Sequence, residues 1–262
     1  MRRALLVIDF QMDFMDVAGA TLPVTGAVKD VERVCHFIEK VNPTTIFSSL
    51  DSHYGLDISH PAWWTKADGS FVDAFTPISS TDIEKGIYVP RVDPVGSLKY
   101  VRDLEDNGEF GHFIWPEHCL IGTPGHNLHP LYMQALNEWS KHNLKWVNFI
   151  NKGTNPYTEH FGIFRANVPM MKDSTTQVNQ SIFNTLETHD EVYLVGEART
   201  HCVANSLRQL VQLAPQLTKK LIVLEDCMSN VGGLPPAFYD SVDAIYANAK
   251  KEGVTFIKST DV

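Results

Sequence analysis

The sequence predicts an α/β protein built as three layers: a doubly wound, mainly parallel six-stranded sheet with helices on both faces. Two observations carry this prediction. Short runs of β-branched and other apolar residues alternate along the chain with longer stretches of helical periodicity. The short runs are apolar throughout, which is typical of strands buried on both faces by flanking helices.

Six segments have the composition of buried strands, and five have the periodicity of amphipathic helices. The predicted strands are 3–9, 44–50, 145–151, 191–196, 220–226 and 254–258. The predicted helices are about 26–41, 127–143, 175–188, 202–214 and 235–251. Because this alternation runs from one end of the chain to the other, we expect residues 1–262 to form a single domain.

One stretch, about 61–114, interrupts the alternation. It is rich in Gly, Pro, Asp and Ser, and it carries aromatic residues at Trp63, Trp64, Phe71, Phe75 and Tyr88. We interpret it as an insertion over the functional site, because the aromatic residues argue for packing. A disordered or decorative loop is the alternative.

The composition excludes several classes of partner and compartment. The net charge of −9 argues against a nucleic-acid partner, which requires a concentrated basic face. No apolar run approaches the roughly 20 residues of a membrane-spanning helix, so no membrane partner is expected. The first apolar run is broken by Asp9 with no cleavage site after it, and four cysteines lack CxxC spacing. These features predict a cytoplasmic protein with free thiols.

Three reactive side chains stand at the carboxyl ends of predicted strands, where ligands bind in parallel sheets. Asp9 ends the first strand, Lys152 ends the third, and Cys202 follows the fourth at the start of a helix. Each has an ordinary structural role when taken singly. Together they form a nucleophile with a base and an orienting group. A helix start and a nearby ammonium both favour the thiolate form of Cys202, and Asp9 can take the thiol proton.

The same strand ends contain a possible metal site. Asp51 and His53 are two residues apart and project to the same side of an extended segment, and His118 lies in "WPEHC". One carboxylate and two imidazoles suit a divalent ion, Zn²⁺ by preference, with Fe²⁺ or Mn²⁺ as alternatives. His60 and Asp57 are open candidates for a further ligand.

Five segments together carry a family resemblance. They are "LLVIDFQMDFMDVAGATLPVTGA", "LDSHYGLDISHP", "WPEHCLIGTPGHNLHP", "NKGTNPYTEHFGIF" and "VGEARTHCVANSLRQL", in this order. The set resembles the cysteine hydrolases of the isochorismatase-like superfamily, and within it the nicotinamidase/pyrazinamidase branch. The resemblance covers most of the chain apart from 61–114.

The resemblance implies a fold, a function and roles for individual residues. The fold is the isochorismatase-like hydrolase fold, and the function is hydrolysis of a small carboxamide, nicotinamide by preference, to an acid and ammonia. The partners implied are this small-molecule amide and further copies of the chain in a homo-oligomer. The implied residues are a catalytic triad of Asp9, Lys152 and Cys202, an oxyanion hole at the amides of Ala198 and Cys202, a ring-packing Phe14, a cis peptide between Glu197 and Ala198, and metal ligands Asp51, His53 and His118, the cation holding the pyridine nitrogen.

Some positions depart from the family pattern, and other functions stay open. The family usually has Asn where Met12 stands, Asp where Thr200 stands, and Trp where Ser52 stands. Another small amide is therefore an alternative substrate. A second hypothesis makes the cation the generator of a hydroxide, with Cys202 only structural. A third is a binding protein without catalysis on the same fold.

Overall fold

The computed structural model describes residues 1–262, which form ten strands and seven α-helices. The strands are Arg3–Ile8 (β1), Thr45–Asp51 (β2), Trp64–Lys66 (β3), Thr76–Pro77 (β4), Tyr88–Pro90 (β5), Phe113–Ile114 (β6), Asn148–Lys152 (β7), Glu191–Gly196 (β8), Leu221–Leu224 (β9) and Thr255–Ile257 (β10). The helices are Ala27–Val41 (α1), Ser80–Glu84 (α2), Pro94–Asp106 (α3), Pro130–Asn143 (α4), Gln180–Glu187 (α5), Ala204–Leu213 (α6) and Pro236–Lys251 (α7). None of these helices combines the length and apolar character that crossing a membrane requires.

Six of the strands form one sheet in the order β10-β9-β8-β1-β2-β7, and every neighbouring pair is parallel. All six correspond to the predicted strands, so the predicted fold class is confirmed. One helix begins at a different residue from the one predicted, and this difference affects the position of Cys202. The helix predicted from 202 begins earlier, with a π-helical turn at Arg199–Val203 that continues into α6.

Two hydrophobic cores, one on each face of the sheet, give the three layers. Along β1, Ala4, Leu6 and Ile8 point into the core formed with α5, α6 and α7. Leu5 and Val7 point the other way, into the core formed with α1 and α4. Because successive side chains of a strand alternate between its faces, a strand covered on both sides must be apolar at every position. This explains the continuous apolar runs in the sequence.

The chain order places a topological switch point at β1. The chain runs from β1 to β2 on one side and returns later to place β8 on the other side. The loops after β1 and β8 therefore diverge and leave a crevice at their carboxyl ends, where ligands bind in sheets of this type.

Residues 61–114 form ordered structure with a core of their own. Two small antiparallel sheets, β3-β5 and β4-β6, pack with α2 and α3. Trp63 and Trp64 are fully buried there against side chains of α3 such as Tyr100. The segment is joined to the rest of the domain by Glu109, which pairs with Arg165 and Arg208. Its last strand, β6, leads directly into Trp115, which lines the same pocket as Cys202.

Candidate active site

Asp9, Lys152 and Cys202 meet at the carboxyl ends of β1, β7 and β8. The Lys152 ammonium lies 2.9 Å from Asp9 Oδ2 and donates to Cys202 Sγ at 3.6 Å. Asp9 is held by Ser49, whose hydroxyl donates to Asp9 Oδ1 at 2.6 Å. Carboxylate, ammonium and thiol therefore share one buried position, as the three strand ends suggested.

A second carboxylate, Asp51, belongs to the same charge cluster. Its Oδ1 lies 2.9 Å from Lys152 Nζ, so the ammonium is shared between Asp9 and Asp51. Burial alone would lower the pKa of Lys152, but these two carboxylates hold it well above its usual value. Burial raises the pKa of Asp9, which places a proton-accepting carboxylate beside the thiol. The Lys152 ammonium therefore lies between the carboxylates of Asp9 and Asp51.

Burial opposes the thiolate form of Cys202 that the helix start and Lys152 favour. Burial raises the pKa of Cys202 well above its usual value, and Asp9 and Asp51 raise it further, while only Lys152 lowers it. Burial is the largest cause, and the Lys152 charge does not offset burial and the two carboxylates together. Cys202 is therefore a neutral thiol at rest, and it needs a base to become a nucleophile.

The helix start around Cys202 provides backbone donors. Cys202 lies in the π-helical turn Arg199–Val203, directly after a cis peptide between Glu197 and Ala198. His201 and Val203 donate their N–H groups to the Ala198 carbonyl, whereas the Ala198 N–H donates to no acceptor within the protein. Ala198 and Cys202 line the same pocket, and an unpaired N–H there is the kind of donor that an oxyanion needs.

Asp51, His53 and His118 form a cluster with the donor atoms of a metal site. The Nε2 atoms of His53 and His118 lie 3.3 and 3.7 Å from Asp51 Oδ2, and all three side chains are buried. The donor atoms lie within 4.8 Å of one another, and His53 Nε2 has no hydrogen-bond partner. An orphaned buried nitrogen among mixed N and O donors fits a divalent cation.

Neighbouring residues fix which nitrogens face this cluster. His118 Nδ1 donates to the Pro116 carbonyl at 2.8 Å, and His53 Nδ1 lies 3.1 Å from Asp57 Oδ2. Both partners are acceptors, so each ring turns the lone pair of its Nε2 inward. Asp57 therefore fixes the orientation of His53 from the Nδ1 side of the ring, while Nε2 faces Asp51. The His60 ring lies beside those of His53 and His118, and its buried Nε2 also lacks a partner.

Several solved structures are similar to this chain over nearly its whole length. A nicotinamidase/pyrazinamidase of Acinetobacter baumanii superposes with a TM-score of 0.65 at 20% identity, over 99% of this chain and 97% of that chain. A yeast nicotinamidase with bound nicotinaldehyde has a TM-score of 0.65 at 16% identity, covering 98% and 99%. An isochorismatase-like hydrolase of Alkaliphilus metalliredigens has a TM-score of 0.53 at 14% identity, covering 100% and 97%. The chain has the isochorismatase-like hydrolase fold. No protein-family model matches the sequence, and no curated protein matches it.

In this isochorismatase-like hydrolase fold, a narrow, mostly apolar pocket leads to Cys202. Two residues of the possible metal site, Asp51 and His118, form part of its wall. The remaining lining residues are Phe14, Leu22, Trp115, Phe161, Ala198, His201 and Val231. The family resemblance implied Phe14, which packs its ring against His118 with centroids 5.5 Å apart.

Several residues of the site were not found from the sequence. Trp115, Phe161 and His201 line the pocket, and burial lowers the pKa of His201 to about 3, so its ring is neutral. Gln11 fixes the backbone of Asp51: its side chain donates to the Asp51 carbonyl at 2.7 Å and accepts the Asp51 N–H at 2.6 Å. Its position as a polar residue just after β1 was the only feature of the sequence that could have indicated a role for Gln11 in the site. Trp115, Phe161 and His201 are far apart in sequence, and no local pattern indicated that they would share a pocket.

Proposed function

We propose that this protein is a thiol-dependent amidohydrolase that converts a small carboxamide, most simply nicotinamide, to its acid and ammonia. The observation that carries the proposal is the contact of Cys202 Sγ with Lys152, itself paired with Asp9, at the end of a pocket. Nicotinamidases and pyrazinamidases among the similar structures support the reaction class.

In the first step, Asp9 takes the proton of the Cys202 thiol as the sulfur attacks the amide carbonyl carbon. A C–S bond forms and the carbonyl π electrons move to oxygen. The Ala198 N–H, together with that of Cys202, stabilises this oxyanion. Lys152 keeps its charge throughout and holds Asp9 in place.

In the second step, the C–N bond breaks and Asp9 returns its proton to the leaving nitrogen, which departs as ammonia. The product left on the enzyme is a Cys202 thioester. Asp9 then takes a proton from water as that water attacks the thioester, which releases the acid. The thiolate recovers the proton through Asp9, and the site returns to its neutral thiol state.

The residues of the metal cluster fit a divalent cation in this scheme. Asp51, His53 and His118 would hold it, with the His60 nitrogen beside them. Zinc is the preferred ion for these donors, and a pyrazinamidase of Pyrococcus horikoshii was solved in complex with zinc. Bound here, the cation supplies a fixed positive site for a substrate nitrogen, such as that of a pyridine ring.

The pocket walls support a flat, uncharged aromatic amide as substrate. The rings of Phe14, Trp115 and Phe161 form an apolar slot, and the neutral His201 adds no charge. Aromatic walls favour planar ligands, through stacked or edge-to-face contacts. The same pocket is lined by Cys202 and by His118, so we expect an amide on the ring to face Cys202 and a ring nitrogen to face the metal cluster.

The experiment is an ammonia-release assay on a panel of small carboxamides that includes nicotinamide, pyrazinamide and aliphatic amides. We expect the wild-type protein to be active on an aromatic amide, and Cys202→Ala to be inactive. The matched control is Cys35→Ala, since Cys35 is a half-buried cysteine of α1 outside the site. This variant should keep full activity.

The same variants separate the thiol route from the metal-hydroxide route. If Cys202→Ala still releases ammonia at the wild-type rate, the thiol mechanism is wrong and the hydroxide mechanism replaces it. If the wild-type protein, loaded with zinc, cleaves no carboxamide in the panel, the proposed function itself is wrong.

A further inference from the structure

One edge of the central sheet is open and apolar. β7 is an edge strand that hydrogen-bonds only to β2, and no other backbone bond joins residues 146–151 to the protein. Large apolar side chains surround this free edge: Leu144 is 87% exposed, Trp146 is 88% exposed and Phe149 is 48% exposed. Trp146 and Leu144 lie in the turn from α4 into the strand. This apolar edge, residues 144–151, is outside the active-site pocket.

The apolar edge lacks the features that keep sheet edges from pairing. Residues 146–151, "WVNFIN", contain no charge, no proline and no glycine. The opposite edge of the sheet differs, because β10 has only three residues and is flanked by Lys250, Lys251 and Lys258. An isolated chain would leave an aggregation-prone strand exposed at one edge and a protected strand at the other.

We infer that the apolar edge is the interface with a second copy of this chain, formed by antiparallel pairing of β7 with β7 of the copy about a two-fold axis. Such pairing satisfies the free backbone groups of both strands and joins the two six-stranded sheets into one. A two-fold contact needs only one self-complementary patch, and an uncharged strand is complementary to itself.

The charges near the edge favour the antiparallel direction. Between Glu138 and Glu159 the chain has no acidic residue, and the exposed lysines Lys141 and Lys145 both precede the strand. In an antiparallel pair the two strand starts lie at opposite ends of the interface, so these lysines are kept apart. A parallel pair would place like charges side by side.

The exposed apolar side chains supply a large part of the area that a stable dimer needs. A buried Trp or Phe side chain contributes about 150–250 Å², and a stable interface uses about 800 Å² on each partner. Trp146, Phe149 and Leu144 are the apolar centre of that area, and the strand backbone and neighbouring polar side chains add the remainder. The same contact would also stabilise β7, the strand that ends at Lys152.

The experiment measures the mass of the full chain by light scattering and sedimentation. We expect the wild-type protein at twice the chain mass of 29.4 kDa, and Trp146→Glu and Phe149→Glu at half the wild-type mass. The matched control is Val95→Glu, an 82% exposed apolar residue of α3, which should keep the wild-type mass. Circular dichroism checks that each variant is folded.

A second measurement uses the wild-type protein alone, so that it does not depend on how the variants fold. We expect amide hydrogen exchange of residues 147–151 to be slow in concentrated protein and several-fold faster after dilution, while β8 amides stay unchanged. A wild-type monomer at about 100 µM, where even a micromolar Kd gives mostly dimer, overturns the inference. So does a dimer that persists in folded Glu variants, or edge exchange that is independent of concentration. None of these outcomes depends on the proposed amidohydrolase activity.

Discussion

Lys152 Nζ lies 2.9 Å from Asp9 Oδ2, although β7 and β1 are not neighbours in the sheet. The lysine side chain reaches across the end of β2, where it also contacts Asp51 at 2.9 Å. One ammonium therefore pairs with two buried carboxylates that lie in different parts of the site. Asp9 faces the thiol, and Asp51 faces the metal cluster, so the charge of Lys152 couples the two.

Removing that ammonium should affect both stability and activity. In Lys152→Met, Asp9 is left buried without a counter-ion and Asp51 loses one partner, so we expect the free energy of unfolding to fall by about 3–5 kcal/mol. Amide cleavage should fall by at least about 100-fold. Urea unfolding and ammonia release measure the two effects. Lys99→Met is the control: its exposed pair with Asp103 should change stability by less than about 1 kcal/mol. An equal loss in both variants would contradict the role of burial.

Asp9→Asn separates proton transfer from binding. The amide keeps the shape of the side chain but cannot take the thiol proton, so kcat should fall by about 10²–10⁴-fold with KM little changed. Burial and the Asp9 charge both raise the pKa of Cys202. Alkylation of Cys202 by iodoacetamide should therefore move to lower pH in the variant, as activity is lost. If both alkylation and activity are unchanged, Asp9 is not the base.

Asp57→Asn should weaken metal binding without removing a ligand. Asp57 orients His53 through Nδ1 at 3.1 Å, and losing such an orienting carboxylate typically reduces affinity by about 10–100-fold. Competition with a chromogenic chelator gives the zinc Kd. His36→Ala, on the surface of α1, should leave the Kd unchanged. A Kd for Asp57→Asn equal to that of the wild type would mean that this contact does not orient the ligand.

Glu197 should make the protein less stable as the pH rises. Its carboxyl is fully buried, with Oε1 unpartnered and Oε2 accepting the Ser229 N–H at 3.2 Å. Burial, and then the nearby Asp30, raise its pKa well above the usual value. The folded protein thus keeps a proton that the unfolded chain releases above about pH 4.3, and stability falls as the pH rises toward the folded pKa.

Glu197→Gln removes this titration while keeping the shape of the side chain. Urea unfolding at pH 5 and pH 8 should show a smaller loss of stability across this range in Glu197→Gln than in the wild type. Glu138→Gln, an exposed position of α4, should follow the wild type. Parallel curves for wild type and Glu197→Gln would show that this carboxyl is ionised in the folded protein.

Local sequence patterns predicted the elements well, because each pattern reports a local requirement. β1 is apolar at every position since it is covered on both faces, and the predicted range 3–9 differs from the observed Arg3–Ile8 by one residue. The carboxyl-end rule for parallel sheets likewise placed Asp9, Lys152 and Cys202 near one another. The aromatic pocket was not predictable, because Trp115 and Phe161 come from loops whose paths depend on tertiary packing.

The sequence by itself determined the parallel sheet, the strand ends that carry polar groups, and the residue types available there. Periodicity and chain order are enough for these features. Only the tertiary structure decided that Cys202 rests as a thiol, that Asp57 orients His53, and that β7 leaves an apolar edge. These properties depend on burial and on the sum of charges from separate segments, and no single stretch of sequence contains that sum.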